Sequence, residues 1–254
     1  MDALEYKAYC KEFKSVERYL RKYGASQDIV NYNICNLRGY RLEQMNDILT
    51  EAGFIYIEDN SVYDALEGNV PEELGLFKNG QFLLSGRFIF PVRDMLGNTL
   101  AMIGWFPDEK KYITTPSKLF SKSCLFYGME QLGTTGIGCK YYLVEGIFDC
   151  LSVRSLGINA VANMGVIHSR VKGELYALFN RLVGVPDADS VGRAVVVEDK
   201  WKLRSCDNYL RWTGDSSIKD IDDLVKTYDP VELKTELLSA LNTSSDERVL
   251  TIEL

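Results

Sequence analysis

Downstream of Gly138 the chain alternates short apolar runs with amphipathic ones, and that alternation leaves few folds open. "KYYLVEG" (140–146) reads as a buried strand, "IFDCLSVRSLG" (147–157) as a helix closing at Gly157, and "INAVANMG" (158–165) as a second strand. "SRVKGELYALFN" (169–180) reads as a second helix, "RLVGVPDAD" (181–189) as a third strand, "SVGRAVVVEDKWKLRS" (190–205) as a third helix and "DNYLRWTG" (207–214) as a fourth strand. Strands separated by crossover helices pair in parallel, so this stretch is expected to form a doubly wound sheet flanked by helices. Ligands of such sheets bind beyond the carboxyl ends of the strands.

Acidic residues collect at those ends. Glu145 ends the first strand and Asp149 follows on the first turn of the next helix. Asp187 and Asp189 end the third strand, and Asp220 and Asp222, in "KDIDD", follow the fourth. Asp and Pro are ordinary turn residues, so "VPDAD" alone is also compatible with a solvated turn. Three strand ends aimed at one edge, all bearing carboxylates, repel one another unless cations sit among them. An oxygen-only donor set selects hard ions, Mg²⁺ or Mn²⁺. The six cysteines, Cys10, Cys35, Cys124, Cys139, Cys150 and Cys206, form no CxxC pair, and His168 is the single histidine. That pattern excludes the usual structural zinc sites, so no zinc is expected, and the thiols are read as free.

Upstream, the texture differs. "DALEYKAYCKEFKSVERYLRKYG" (2–24), a segment after Ser26 and "RLEQMNDILTEAG" (41–53) have helical spacing, two of them closing at a glycine. From Gln81 onward β-rich runs take over, with a hairpin expected around "DMLGN" (94–98). The net charge of −7 argues against the whole surface binding nucleic acid, but Lys78 to Lys122 holds seven basic and three acidic residues and is locally basic. No apolar run approaches the ~20 residues that span a bilayer, and the N-terminus lacks a signal-peptide core. A cytoplasmic protein with no membrane partner is expected. The divisions expected are 1–137, helices plus a small basic β-rich region; 138–230, the acidic parallel-sheet domain; and 231–254, a C-terminal helix and tail.

Several of these stretches together resemble a known family. "YYLVEGIFDCLSV" resembles the glutamate motif of the Toprim domain, and "PDADSVGR" resembles its DxD motif. "GRFIFPVRD", "KKYITTPS" and "FSKSCLFYG" resemble motifs of the RNA-polymerase core of DnaG-like bacterial and phage primases, and "VERYLRKYGASQDIVNYNI" its helical opening. The resemblance implies an α/β protein in which a helical and mixed α+β N-terminal part precedes a Toprim domain with a mainly parallel sheet. It implies a DNA primase that makes short RNA primers on single-stranded DNA from ribonucleoside triphosphates. By the same resemblance Glu145 is the catalytic glutamate, acting with Asp187 and Asp189, and the metal ligands are Glu145 itself and the aspartates Asp149, Asp187, Asp189, Asp220 and Asp222. Arg87, Lys111 and Lys122 fall where the family holds template and nucleotide phosphates, whereas Arg93 and Tyr127 are expected in core or hairpin roles.

Neither a zinc ribbon nor a helicase-binding domain is legible, so a minimal core of the kind phages encode is expected, acting in the host cytoplasm. A replicative helicase or a separate zinc-bearing chain is the expected partner. Two rivals stand beside this reading: a Toprim-type metal-dependent nuclease, and a non-enzymatic replication accessory derived from a primase. The tail "SSDERVLTIEL" alternates as a strand does, and either adds to a partner's sheet or packs on its own domain.

Overall fold

The computed structural model describes residues 55–57, 77–79, 81–84, 87–106, 111–114, 125–136, 139–165, 172, 179, 181–189, 208–243 and 249–253. The expected N-terminal helices, most of the helices around 169–180 and 190–205, His168 and Lys122 lie outside these residues, as does the side chain of Lys111. The described residues up to Thr114 belong to one compact unit and those from residue 125 onward to a second.

In the first unit, strands β1 (Ile55–Ile57), β4 (Arg87–Arg93), β5 (Thr99–Phe106) and β6 (Lys111–Thr114) form an antiparallel sheet in that order. A separate ribbon pairs β2 (Phe77–Lys78) with β3 (Gln81–Phe82). The β4–β5 hairpin turns where the sequence places it. Asp94 builds the turn: its Oδ1 accepts from the backbone N–H groups of Leu96 (2.9 Å) and Asn98 (2.8 Å), and its Oδ2 from the Asn98 side-chain amide. Gly97 takes φ +77°, a conformation that a side chain resists. The β4 run is buried from Phe88 to Val92, so this sheet has a packed interior of its own.

The second unit is built on a five-stranded sheet in the order β11-β10-β9-β7-β8, comprising β7 (Lys140–Val144), β8 (Ala160–Ala162), β9 (Arg181–Val185), β10 (Asn208–Thr213) and β11 (Val249–Glu253). Every pairing among these strands is parallel. Four helices are described: α1 (Gln131–Thr135), α2 (Ile147–Ser155), α3 (Ile221–Thr227) and α4 (Pro230–Asn242). A parallel strand covered on both faces reads as a continuous apolar run, and Tyr141 to Val144 are fully buried. Successive residues of β7 serve opposite faces. The Tyr142 hydroxyl donates to the Leu237 carbonyl of α4 (2.6 Å), while Tyr141 bonds Thr135 and meets the Phe179 ring edge-on at 5.0 Å. Tyr127, expected in a core role, is buried and bridges antiparallel to Ala162.

The tail belongs to this sheet. Val249–Glu253 pairs parallel with β10 over the whole strand, from Tyr209 opposite Val249 to Thr213 opposite Glu253. Leu250 and Ile252 are buried and Thr251 and Glu253 exposed, so the alternation is a real strand whose apolar side covers the chain's own core. Of the two readings of the tail, packing on its own domain is the one the structure displays: the strand pairs with β10 and its apolar side chains are buried within that domain. Burying two such side chains contributes about 2 kcal/mol each. Deleting Ser244–Leu254 is accordingly expected to lower the melting temperature by several degrees, measured by calorimetry; an unchanged transition would show that the strand contributes nothing to the sheet.

Candidate functional site

The parallel register of β7 and β9 brings the first acidic pair together. Val144 lies opposite Val185, so Glu145 and the Pro186–Asp187 step leave the sheet side by side. Glu145 Oε1 accepts from the backbone N–H of Asp187 (3.2 Å). The turn after β9 is also tied to the loop after β10, because the Ala188 N–H donates to the Lys219 carbonyl (2.6 Å). Residue 220 follows immediately. The carboxyl ends of three neighbouring strands thus present Glu145, Asp187, Asp189 and Asp220 at one end of the sheet.

Local helix chemistry sets two more. Asp149 stands at the third position of α2, and its Oδ2 accepts from the N–H of Gly146 at the helix start (2.9 Å). Asp220 is the N-cap of α3, accepting from Asp223 N–H at 2.6 Å. Asp222 sits differently. One of its oxygens accepts from the Ser152 hydroxyl of α2 and the other from the Lys226 ammonium one turn along α3, so it clamps the two helices together. Sequence reading missed both Ser152 and Lys226. The i,i+4 spacing of Asp222 and Lys226 is the one signal that could have found the second.

The electrostatics follow from burial and like charge. Asp149, only 8% exposed, has its pKa driven well above the usual carboxylate range, first by desolvation and then by Asp220, Asp187 and Asp222. Asp187 is raised to about 7 by desolvation, with Glu145, Asp220 and Asp189 adding repulsion. Glu145 is raised by desolvation and by Asp189, against the lowering effect of its bond from Asp187 N–H. Asp220 is raised by desolvation and by Asp222 and Asp223, although its own cap bond and Lys226 oppose this. These groups feel one another as a single cluster of negative charge. No three acidic side chains among the described residues converge as a finished coordination shell. The donor chemistry nonetheless fits a hard divalent cation: every donor is a carboxylate oxygen, and added positive charge relieves the repulsion that raises each pKa.

Two of the basic residues singled out in the sequence belong to the antiparallel sheet of the first unit. Arg87 opens β4, half-buried, and Lys111 opens β6, with β5 between the two strands. Lys122 lies outside the described residues.

Comparison with known proteins fits this architecture. Residues 142–225 match a family model described as Toprim-like. The DNA primase of Clostridium acetobutylicum is 30% identical over 183 residues, 70% of this chain and 28% of that protein. The DNA primase of Deinococcus radiodurans is 28% identical over 166 residues, 62% of this chain and 29% of that protein. The chain thus spans under a third of the length of these relatives. Among solved structures, a DnaG primase catalytic domain bound to single-stranded DNA superposes with a TM-score of 0.66 at 21% identity, covering 94% of this chain and 81% of that one. The RNA polymerase domain of Mycobacterium tuberculosis primase DnaG gives 0.62 at 19% identity, covering 90% and 82%. The fold is that of the DnaG catalytic core.

Asp187 supplies a test of the charge cluster. A carboxyl group whose folded pKa exceeds its unfolded value binds its proton more tightly when folded, so ionisation destabilises the metal-free fold. That loss develops as pH rises from about 4 to about 7 and is complete above it. Metal-free Asp187→Asn is therefore expected to melt above the wild type at pH 8, with the difference vanishing near pH 4. Equal melting temperatures at pH 8, read by differential scanning fluorimetry in EDTA, would show that ionised Asp187 is neither desolvated nor repelled in the fold.

Proposed function

Proceeding from a DnaG-like core with a Toprim domain, we propose that the chain is the catalytic part of a DNA primase. It joins ribonucleoside triphosphates into short RNA primers on a single-stranded DNA template during replication. The observation that supports this reading is that Glu145, Asp187, Asp189 and Asp220 all follow strands at one end of a Toprim-like parallel sheet. The names of the relatives and the DNA-bound structural neighbour support the choice of reaction.

Joining nucleotides requires a 3′-hydroxyl to attack an α-phosphate while pyrophosphate leaves. A bound Mg²⁺ or Mn²⁺ supplies charge neutralisation and acidifies the attacking hydroxyl. Glu145, Asp187 and Asp189 are the residues proposed to hold such ions, with Asp149 and Asp220 adding charge behind them. Glu145 Oε1 accepts from the Asp187 N–H, which holds its carboxylate in one orientation, and Oε2 is the oxygen that would ligate a cation or take a hydroxyl proton. Asp222, already shared between Ser152 and Lys226, serves the site by fixing α3 against α2. Arg87, Lys111 and Lys122 are proposed to neutralise template and nucleotide phosphates. A replicative helicase or a separate zinc-bearing chain is the partner this reading implies.

Incubation with single-stranded DNA, the four ribonucleoside triphosphates and Mg²⁺ or Mn²⁺ is expected to yield short RNA oligonucleotides. Glu145→Gln is expected to cut that yield by about 10²-fold or more while leaving the fold intact. Shortened template strands in place of new oligonucleotides would assign the site to a nuclease. Lys111→Ala and Lys122→Ala are each expected to lower the slope of log affinity for single-stranded DNA against log salt by about 0.7. Slopes equal to the wild type would place the phosphate contacts elsewhere.

A further inference from the structure

Lys172 is fully buried, an unusual place for an ammonium group. Its Nζ bonds both oxygens of Asn163, the backbone carbonyl and, at 2.7 Å, the side-chain Oδ1, and it lies 5.1 Å from the centroid of the Phe126 ring. Asn163, itself 1% exposed, is the first residue beyond β8, at the same end of the sheet as the acidic cluster.

The turn that Lys172 grips is strained and is bonded to the strand that carries Glu145. Met164 takes φ +58°, the left-handed region that a branchless but full side chain rarely adopts, and Gly165 follows at φ +127°. Such a conformation persists only where its surroundings hold it. Two hydrogen bonds run from this turn to the end of β7. Asn163 N–H donates to the Val144 carbonyl (2.7 Å), and Gly165 N–H donates to the Glu145 carbonyl (3.3 Å). The two acceptors bracket Glu145: they are the carbonyl before it and its own. Among the described residues, the Glu145 carboxylate is held by the bond from Asp187 N–H.

We propose that Lys172 is a positioning residue for Glu145: its ammonium locks the Asn163–Gly165 turn, whose two N–H groups fix the backbone from which the Glu145 carboxylate projects. The role is mechanical and electrostatic. A cation on the Asn163 carbonyl stabilises the peptide that leads into the left-handed Met164, and an apolar residue of the same length would leave both Asn163 oxygens without that donor. Glu145 lies at the centre of the proposed metal site, so loosening its backbone acts on metal affinity and on turnover more than on substrate capture.

This inference rests on the primase reading for its kinetic consequence but not for its metal consequence. Lys172→Met is nearly isosteric and removes the donor. Mn²⁺ binding, followed by electron paramagnetic resonance on the full chain, is expected to weaken by about fivefold or more, and Lys172→Gln, which keeps an amide donor, to fall between Met and the wild type. In primer synthesis, Lys172→Met is expected to lower kcat by about tenfold with KM for nucleotide within about twofold. A Mn²⁺ affinity equal to the wild type, together with an unchanged kcat, overturns the proposal. If Lys172→Met does not fold, Asn163→Ala, which deletes one acceptor at the same junction, decides in its place: weakened Mn²⁺ binding supports the lock and unchanged binding overturns it. If the wild type makes no primers, the primase reading fails and the Mn²⁺ titrations still decide the role of Lys172.

Discussion

The parallel pairing of β7 with β9 is the constraint on which the rest depends. Lys140 to Val144 run in register with Arg181 to Val185, so both strands end at the same level. An antiparallel pairing of the same residues would send Glu145 and Asp187 to opposite ends of the sheet. Parallel pairing requires a crossover, and it is stable here because both faces of β7 are covered, through Tyr142 towards α4 and Tyr141 towards Phe179. The apolar burial of one strand thereby determines where charge gathers.

That gathering works against folding. Asp149, Asp187, Asp220 and Glu145 are each partly or wholly removed from water, and each has its proton affinity raised by that removal and by its neighbours. The protein tolerates the repulsion because backbone N–H groups answer several of the carboxylates: Gly146 for Asp149, Asp187 for Glu145 and Asp223 for Asp220. Each of these bonds also orients its side chain. The same contacts that make the cluster bearable in the metal-free fold keep its oxygens in fixed directions, which is the property that a cation site requires.

Much of this was legible in the chain itself. The alternation after Gly138 marks β7, α2, β8, β9 and β10, and the acidic residues at the strand ends follow from it directly. The alternation of Val249 to Glu253 marks a strand equally well, but a period of two encodes only which side is apolar and not which neighbour accepts the edge. Asp222 carries the same local signature as Asp220, two residues away at the start of one helix. Their different roles depend on Ser152, seventy residues earlier, which no local pattern could associate with either.

By itself, then, the sequence determined the element types, the parallel sheet and the identity of the acidic set, because periodicity and strand-end placement are local properties. Tertiary structure decided which carboxylates lie at one end of the sheet, which one clamps helices, that the tail completes the chain's own sheet, and that Lys172 reaches Asn163. Those outcomes rest on through-space contacts, in which free energy depends on distance and desolvation and not on separation along the chain. The sequence marks "SRVKGEL" only as the start of a helix; the fold is what buries the Lys172 ammonium against the turn beside Glu145.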